Sequence, residues 1–122
     1  MASEEDRVHL LLDNGSLNPL SILNLRRVAE EFGRRFGRQV YPVSIAHSDQ
    51  VQDDALGDDP VWVLEAFIEH FRQSGWTNFQ VHPFIFSEDG GIARLMKNTL
   101  QKLKEKYPEL SIEVCSSLFD ES

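Results

Sequence analysis

Residues 7–19 read RVHLLLDNGSLNP, a short apolar run that passes through a turn into a helix start. An apolar run of this length is typical of a strand covered on both faces. Residues 14–16 signal a turn. The Asn18 side chain can accept a hydrogen bond from a free backbone amide at the start of a helix. Pro19 suits the first helical position, because its missing amide hydrogen costs nothing there. The segment therefore predicts a buried strand that leads directly into a helix.

The same alternation of strand and helix continues along the chain. We expect the first helix to run to about Phe36 and to end at Gly37. Further strands are expected at residues 39–45, 79–86 and 110–115. A second helix should open at 59–60 and close at 74–75, and a third should follow the loop at 87–91. Helical spacing predicts one buried face for each helix. These faces are Leu25, Val28, Ala29, Phe32 and Phe36 in the first helix; Val61, Leu64, Phe67, Ile68 and Phe71 in the second; and Ile92, Leu95, Met96, Leu100 and Leu103 in the third.

Strands that alternate with helices predict a parallel sheet with helices on both faces. We expect an α/β domain with a four-stranded parallel sheet in a flavodoxin-like, three-layer α/β/α arrangement of strand order 2-1-3-4. One such domain accounts for residues 1–122. Pro42 would leave one ladder position without a donor, which favours an edge position for the second strand.

Composition excludes several classes of protein. The chain has no apolar stretch long enough for a membrane helix and no secretory signal at its acidic N-terminus, so we expect a cytoplasmic protein without a membrane role. Its net charge of -8 argues against nucleic acid as a partner. Cys115 is the single cysteine and is expected to be buried and reduced. Five arginines between residues 26 and 38 are expected to form the solvated face of the first helix.

The predicted topology places a candidate ligand site beyond the carboxyl ends of the first and third strands. The loop at 14–18 faces the loop at 87–91 across that crevice, and each loop opens a helix. Free amides and the dipole at two helix N-termini attract anions, so a ligand with several carboxylates suits the crevice. No P-loop or dinucleotide-binding glycine motif is present.

Four histidines are scattered along the sequence. His9 and His82 fall within inner strands and are predicted to be core residues, whereas His70 is expected on an exposed helix face. His47 follows the second strand at the ligand edge and precedes Asp49, so this pair is the candidate for metal binding. An ordinary loop histidine is the alternative.

In its sequence motifs and their spacing, the chain resembles the short, single-domain form of the CbiX-type sirohydrochlorin cobaltochelatase and ferrochelatase family. The family's first strand is followed by His-Gly-Ser-x-x-Pro, which appears here as Asn14-Gly15-Ser16-Leu17-Asn18-Pro19. Its later strand ends in Pro-x-Phe-x before a glycine-containing loop, here residues 83–91. The resemblance covers nearly the whole chain and implies a chelatase-type fold.

The resemblance also implies a tetrapyrrole substrate, a divalent cobalt, iron or nickel ion and a homodimer. The binding residues that it implies are Asn14, Gly15, Ser16, Gly90 and Gly91. In the family, two histidines bind the metal and help to remove the pyrrole protons. Asn14 replaces the first of these histidines, and Gly91 or Ile92 replaces the second.

Two functions remain open. The first is a chelatase-like domain that binds a tetrapyrrole or related polycarboxylate, without metal insertion or with metal supplied through His47. The second is a non-enzymatic interaction or regulatory module that retains the fold. A basic helix at the crevice would favour the first, and a narrow acidic crevice would favour the second.

Overall fold

The computed structural model describes residues 7–15, 18–45, 57, 61–84 and 91–115, and of residues 91–93 only the backbone. This part of the chain contains five strands and three helices. They are β1 (Arg7–Asp13), α1 (Pro19–Phe36), β2 (Val40–Ser44), β3 (Trp62–Val63), α2 (Leu64–Gln73), β4 (Asn78–Pro83), α3 (Gly91–Lys106) and β5 (Ser111–Val114). None of the described helices combines the length and apolar character needed to cross a membrane.

The strands form one sheet of order β3-β2-β1-β4-β5, in which every pairing is parallel. Four of these strands correspond to the predicted ones and lie in the predicted order. The predicted number of four strands is wrong, because the sheet has a fifth strand, the short β3. Trp62 and Val63 pair with Val43 and Ser44, so these two residues are extended where a helix was expected. Helix α2 consequently begins at Leu64, later than the predicted start at 59–60.

The helices cover both faces of the sheet, which confirms the α/β/α layering. Leu11 packs on one face with Leu25 and Ala29 of α1. Leu10 and Leu12 pack on the other face with the buried side chains of α2 and α3. The alternation of side chains along a strand therefore sends consecutive leucines of β1 into two separate cores.

Helix α1 begins and ends as the sequence predicts. The Asn18 side chain accepts a hydrogen bond from the Leu20 amide at 3.0 Å, and Gly37 has a φ of 77° that favours glycine. One part of the predicted buried face is wrong, because Phe36 is 40% exposed. In α3, Leu95 is also exposed, because Met96, Leu100 and Leu103 form the buried stripe.

Pro42 is accommodated in β2 by the direction of its peptide group. The Ile45 amide donates to the Asp13 carbonyl at 3.0 Å, so alternate residues of β2 face β1 and the nitrogen of Pro42 faces away from it. No donor to β1 is lost. The expectation that β2 is the edge strand is corrected, because β3 pairs with its last two residues.

Gly33→Ala is expected to destabilise the protein by about 1–3 kcal/mol, even though alanine usually favours a helix over glycine. A Cβ at position 33 would lie 2.6 Å from the Arg38 carbonyl oxygen and 3.3 Å from the Val40 amide nitrogen. Urea denaturation followed by circular dichroism measures the change. The control is Asn98→Ala at an exposed position of α3, where stability should be unchanged or slightly higher. Equal stability of the two variants would contradict crowding at Gly33.

Candidate functional site

The carboxyl ends of β1 and β2 meet at Asp13 and Ser44, which are paired in the sheet. The Asp13 carboxylate accepts a hydrogen bond from the Ser44 hydroxyl at 2.6 Å and from the Gly15 amide at 2.9 Å. The first bond joins the two strand ends, and the second holds the turn that follows β1. This pair of bonds fixes the backbone on which the predicted site residues lie.

Burial raises the pKa of the Asp13 carboxyl above its ordinary value, and the hydrogen bonds from Ser44 and Gly15 oppose that rise. Desolvation is the larger effect, because a half-buried carboxylate loses part of its hydration. Asp13 is therefore easier to protonate than an exposed aspartate. It is the one group at this edge, among the described residues, with a raised carboxyl pKa.

Asn14 has a side-chain oxygen, Oδ1, that is buried and has no hydrogen-bond donor within reach among the described residues. A buried acceptor without a donor costs about 1–3 kcal/mol. A donor from outside the protein, such as a bound water or a ligand, would remove this cost. Gly15 follows with a φ of 92°, a conformation that favours glycine and turns the chain sharply after Asn14.

A cavity of about 330 Å³ opens beside these residues. One side of it is the end of β1 with its turn, and the other side is the first two turns of α1, with a contribution from Phe84, which directly follows β4. Its lining residues are Asp13, Asn14, Gly15, Leu20, Ser21, Asn24, Leu25 and Phe84. The lining thus combines polar groups from both sides, the carboxyl and amide groups at the end of β1 and a hydroxyl and an amide on α1, with apolar side chains.

Two of the predicted binding residues, Asn14 and Gly15, line this cavity. Gly91 was expected in the loop before the third helix, but it is the first residue of α3. The remaining predicted residues, Ser16, Gly90 and the candidate metal ligand His47, lie outside the described residues. The sequence signal for Asp13 was its position as a carboxylate at the end of a buried apolar strand.

The arginines between residues 26 and 38 do not line the cavity at the end of β1, which we call the crevice. Arg26 and Arg34 of α1, together with Arg38 just beyond its end, instead line a second and larger cavity of about 770 Å³ on the other flank of α1. The two cavities share no lining residue. The described lining of the crevice therefore contains one carboxylate and no cationic side chain.

His9 and His82 form a buried pair on the α1 face of the sheet, as predicted for core histidines. Their Nδ1 and Nε2 atoms lie 3.2 Å apart, and the rings are inclined by only 20° with centroids 5.5 Å apart. This geometry is an in-plane hydrogen bond between rings, in which one ring donates. Phe32 and Phe36 meet the pair edge-on. Within the described ranges, no three His, Cys, Asp or Glu side chains are grouped closely enough to hold a metal ion.

The structure also tests the predicted exposure of His70 and the predicted burial of Cys115. His70 is exposed as predicted. Cys115 is a free thiol, but it is only half-buried, and it accepts a hydrogen bond from the Gln80 side chain. The contact lies at the end of β5, where the described sheet stops.

Comparison of the chain with family models, with curated proteins and with solved structures gave no match.

Lowering the pH from 7 to 4.5 is expected to destabilise the wild type more than a His82→Leu variant. Burial, with a smaller contribution from His9, lowers the pKa of His82 from 6.5 to about 4. The unfolded chain therefore binds more protons between these values, and stability contributed by neutral His82 is lost as the pH falls through that window.

Asp13 acts in the opposite direction, because its raised pKa favours the folded state on protonation. This contribution is present in both proteins and cancels in the comparison. Urea denaturation at pH 7, 6, 5 and 4.5 gives the two stability profiles. Parallel profiles would show that His82 does not titrate as its burial requires.

Proposed function

We propose that this chain is a chelatase-like domain that binds a tetrapyrrole or a related polycarboxylate and does not insert metal. The observation that carries the proposal is the buried, unsatisfied Oδ1 of Asn14 at the carboxyl edge of β1. This position corresponds to the first histidine of the family that the sequence resembles. A homodimer, as the resemblance implies, belongs to the same proposal.

A metal-free tetrapyrrole suits an unsatisfied acceptor, because its pyrrole nitrogens carry hydrogen-bond donors. The amide oxygen of Asn14 can accept from such a donor, but the amide has no titrating group near neutral pH. It therefore cannot remove the pyrrole proton as a general base. Recognition of the ring can persist at this position although proton removal is lost.

The size of the crevice limits how the ring would bind. A cavity of about 330 Å³ lies at the lower end of the range for small-molecule sites, so it would admit one edge of a macrocycle. The apolar lining residues Leu20, Leu25 and Phe84 would contact a pyrrole ring, and Asn14 would accept from its nitrogen. The rest of the ring would extend across the open side of the crevice.

Metal insertion is not part of the proposal, because it requires ligands for the ion and a group that takes the pyrrole protons. Neither residue at the second histidine position, Gly91 or Ile92, has a ligating side chain. Among the lining residues that the structure describes, Asp13 is the one titratable group, and its carboxylate already accepts from Ser44 and Gly15.

The second candidate function, a non-enzymatic interaction or regulatory module, also has an observation in its favour. The described crevice lining includes the carboxylate of Asp13 and no arginine or lysine. Such a lining would repel the carboxylates of a tetrapyrrole unless they point away from it. Direct titration with the tetrapyrrole distinguishes the two functions.

Asn14→Leu is expected to weaken sirohydrochlorin binding about tenfold, which corresponds to the loss of one hydrogen bond in a buried site. A visible absorption titration of the wild type and the variant, without metal, measures both affinities. Asn98→Leu on the exposed face of α3 is the matched control and should bind like the wild type. If the wild type causes no spectral change, the tetrapyrrole proposal is wrong and the interaction module is favoured.

Asn14→His alone is expected not to restore cobalt insertion. The second ligand position remains without a histidine, and a single imidazole makes a weak metal site. Insertion is followed by the absorption change of sirohydrochlorin on adding Co²⁺, with the spontaneous reaction without protein as the reference. A rate clearly above that reference would mean that other ligands, such as His47, complete the site.

A further inference from the structure

The crevice at the end of β1 contains a carboxylate oxygen without a partner. Both hydrogen bonds to the Asp13 carboxyl, from the Ser44 hydroxyl and from the Gly15 amide, go to the same oxygen, Oδ1. Within the described structure, the other oxygen, Oδ2, has no hydrogen bond and no ion pair. It is also not one of the buried atoms that lack a partner, and Asp13 lines the cavity. A molecule in the crevice can therefore reach this oxygen.

Asn14 brings a second acceptor to the same cavity. Its Oδ1 is buried and has no donor among the described residues, and Asn14 lines the crevice beside Asp13. The two oxygens belong to adjacent residues at the end of one strand. A ligand group with more than one N–H donor is therefore suited to both.

The start of α1 offers no free backbone donor to the crevice, although its sequence predicted attraction of anions. Pro19 has no amide hydrogen, and the Leu20 amide donates to the Asn18 side chain at 3.0 Å. The amides of Ser21 and Ile22 donate to the Asn18 carbonyl at 3.0 and 3.4 Å. Each amide hydrogen of this first turn thus has a partner, and a ligand carboxylate would find none to accept from here.

The charge of the crevice lining favours a cation. Asp13 is the one titratable group among the described lining residues, and no cationic side chain in the described structure acts on its pKa, which burial raises. The positive end of the α1 dipole opposes a cation, but it amounts to roughly half a unit charge, against the full charge of an ionised carboxylate. The net charge of -8 on the whole chain adds to the attraction of cations.

The apolar part of the crevice limits the body of such a cation. Leu20 is 71% exposed although it lines the cavity, and Leu25 lies beneath it as a buried neighbour in the lining. Covering an exposed leucine with an apolar group is favourable. The volume of about 330 Å³ is at the lower end for small-molecule sites. A single ring or a short alkyl group is therefore the body that fits.

From these contacts we infer that the crevice is a binding site for a small primary ammonium compound with an apolar body. The ammonium group donates to Oδ2 of Asp13 and to Oδ1 of Asn14, and the body contacts Leu20 and Leu25. Hydrogen bonds between ionised groups are stronger than those between neutral ones, so the carboxylate is the main determinant. This inference goes beyond the tetrapyrrole proposal, because it depends on the charge of Asp13, which recognition of a pyrrole N–H by Asn14 does not require.

The test is a nuclear magnetic resonance titration of the ¹⁵N-labelled chain with benzylamine, which is protonated at neutral pH. At about 0.15 M salt, attraction to distant exposed charges is screened. The Gly15 amide is the reporter, because it donates to Asp13. A saturable shift of its signal is expected in the wild type, with an affinity at least about tenfold weaker in Asp13→Asn. Asparagine keeps the oxygen that accepts from Ser44 and Gly15 and removes the charge.

Glu105→Gln is the matched control for the loss of one negative charge. Glu105 is exposed in the last turn of α3, which precedes the start of β5 and so lies at the opposite edge of the sheet. Its affinity for benzylamine should stay within about twofold of the wild type.

Two further probes act on the wild type and need no variant. Benzyl alcohol has the same ring without charge, and benzoate has the opposite charge, so both should bind at least about tenfold more weakly than benzylamine. Magnesium chloride tests whether any cation suffices, and it should leave the Gly15 signal unchanged. These comparisons decide the question even if Asp13→Asn is unstable.

Sirohydrochlorin separates this inference from the tetrapyrrole proposal. Asp13→Asn should bind it at least as tightly as the wild type, because the variant keeps Asn14 and loses a charge that repels carboxylates. Benzylamine binding without sirohydrochlorin binding would leave the present inference intact, and the reverse result would leave the tetrapyrrole proposal intact.

Three results would overturn the inference. The first is no saturable shift of the Gly15 signal in the wild type at millimolar benzylamine. The second is an equal loss of affinity in Glu105→Gln and Asp13→Asn, which would indicate a general charge effect. The third is an equal response to benzyl alcohol, benzoate or magnesium, which would show that the crevice does not select an ammonium group.

Discussion

Strand β1 lies between two apolar layers, with α1 on one face and α2 and α3 on the other. Its residues Leu10, Leu11 and Leu12 have no exposed surface, and burial of each leucine contributes about 1.5–3 kcal/mol. Both neighbours of β1, the strands β2 and β4, take their register from it. A slip by one residue would exchange the two buried faces, so the position of every other strand depends on the fit of β1.

The chemistry at the carboxyl edge follows from where β1 ends. Asp13 is the first polar group after the buried leucines, and its bonds to Ser44 and Gly15 replace part of the hydration that it loses. Asn14, one residue further, has no such compensation for its Oδ1 within the described structure. The strand end thus places a carboxylate with one bonded oxygen beside an unsatisfied amide, which is an arrangement for accepting a donor.

A polycarboxylate macrocycle would need hydrogen-bond acceptors, an apolar surface and cationic groups in one place. The two cavities hold these groups separately. The described crevice lining has hydrogen-bond acceptors and apolar side chains, whereas the cationic groups of Arg26, Arg34 and Arg38 lie across α1 from it. His9 and His82 line neither of these two cavities, and their ring edges meet between the sheet and α1.

Much of the fold was determined by local features of the sequence. The buried run of β1, the Asn18 cap and Gly37 fixed the first strand and helix, since each acts through its own or adjacent backbone groups. The sequence also placed Asn14 directly after the first strand, because the buried apolar run stops at Asp13. Its role in ligand binding stays a prediction.

Only the tertiary structure decided the rest. Trp62 and Val63 are extended because β2 offers them partners distant in sequence, and no local pattern specifies that pairing. Whether Arg26 and Arg38 are ordinary solvated side chains or line a cavity depends equally on distant contacts. Helical spacing predicts which face of a helix is buried, but the shape of the surface beside that face is set by the strand packed against it.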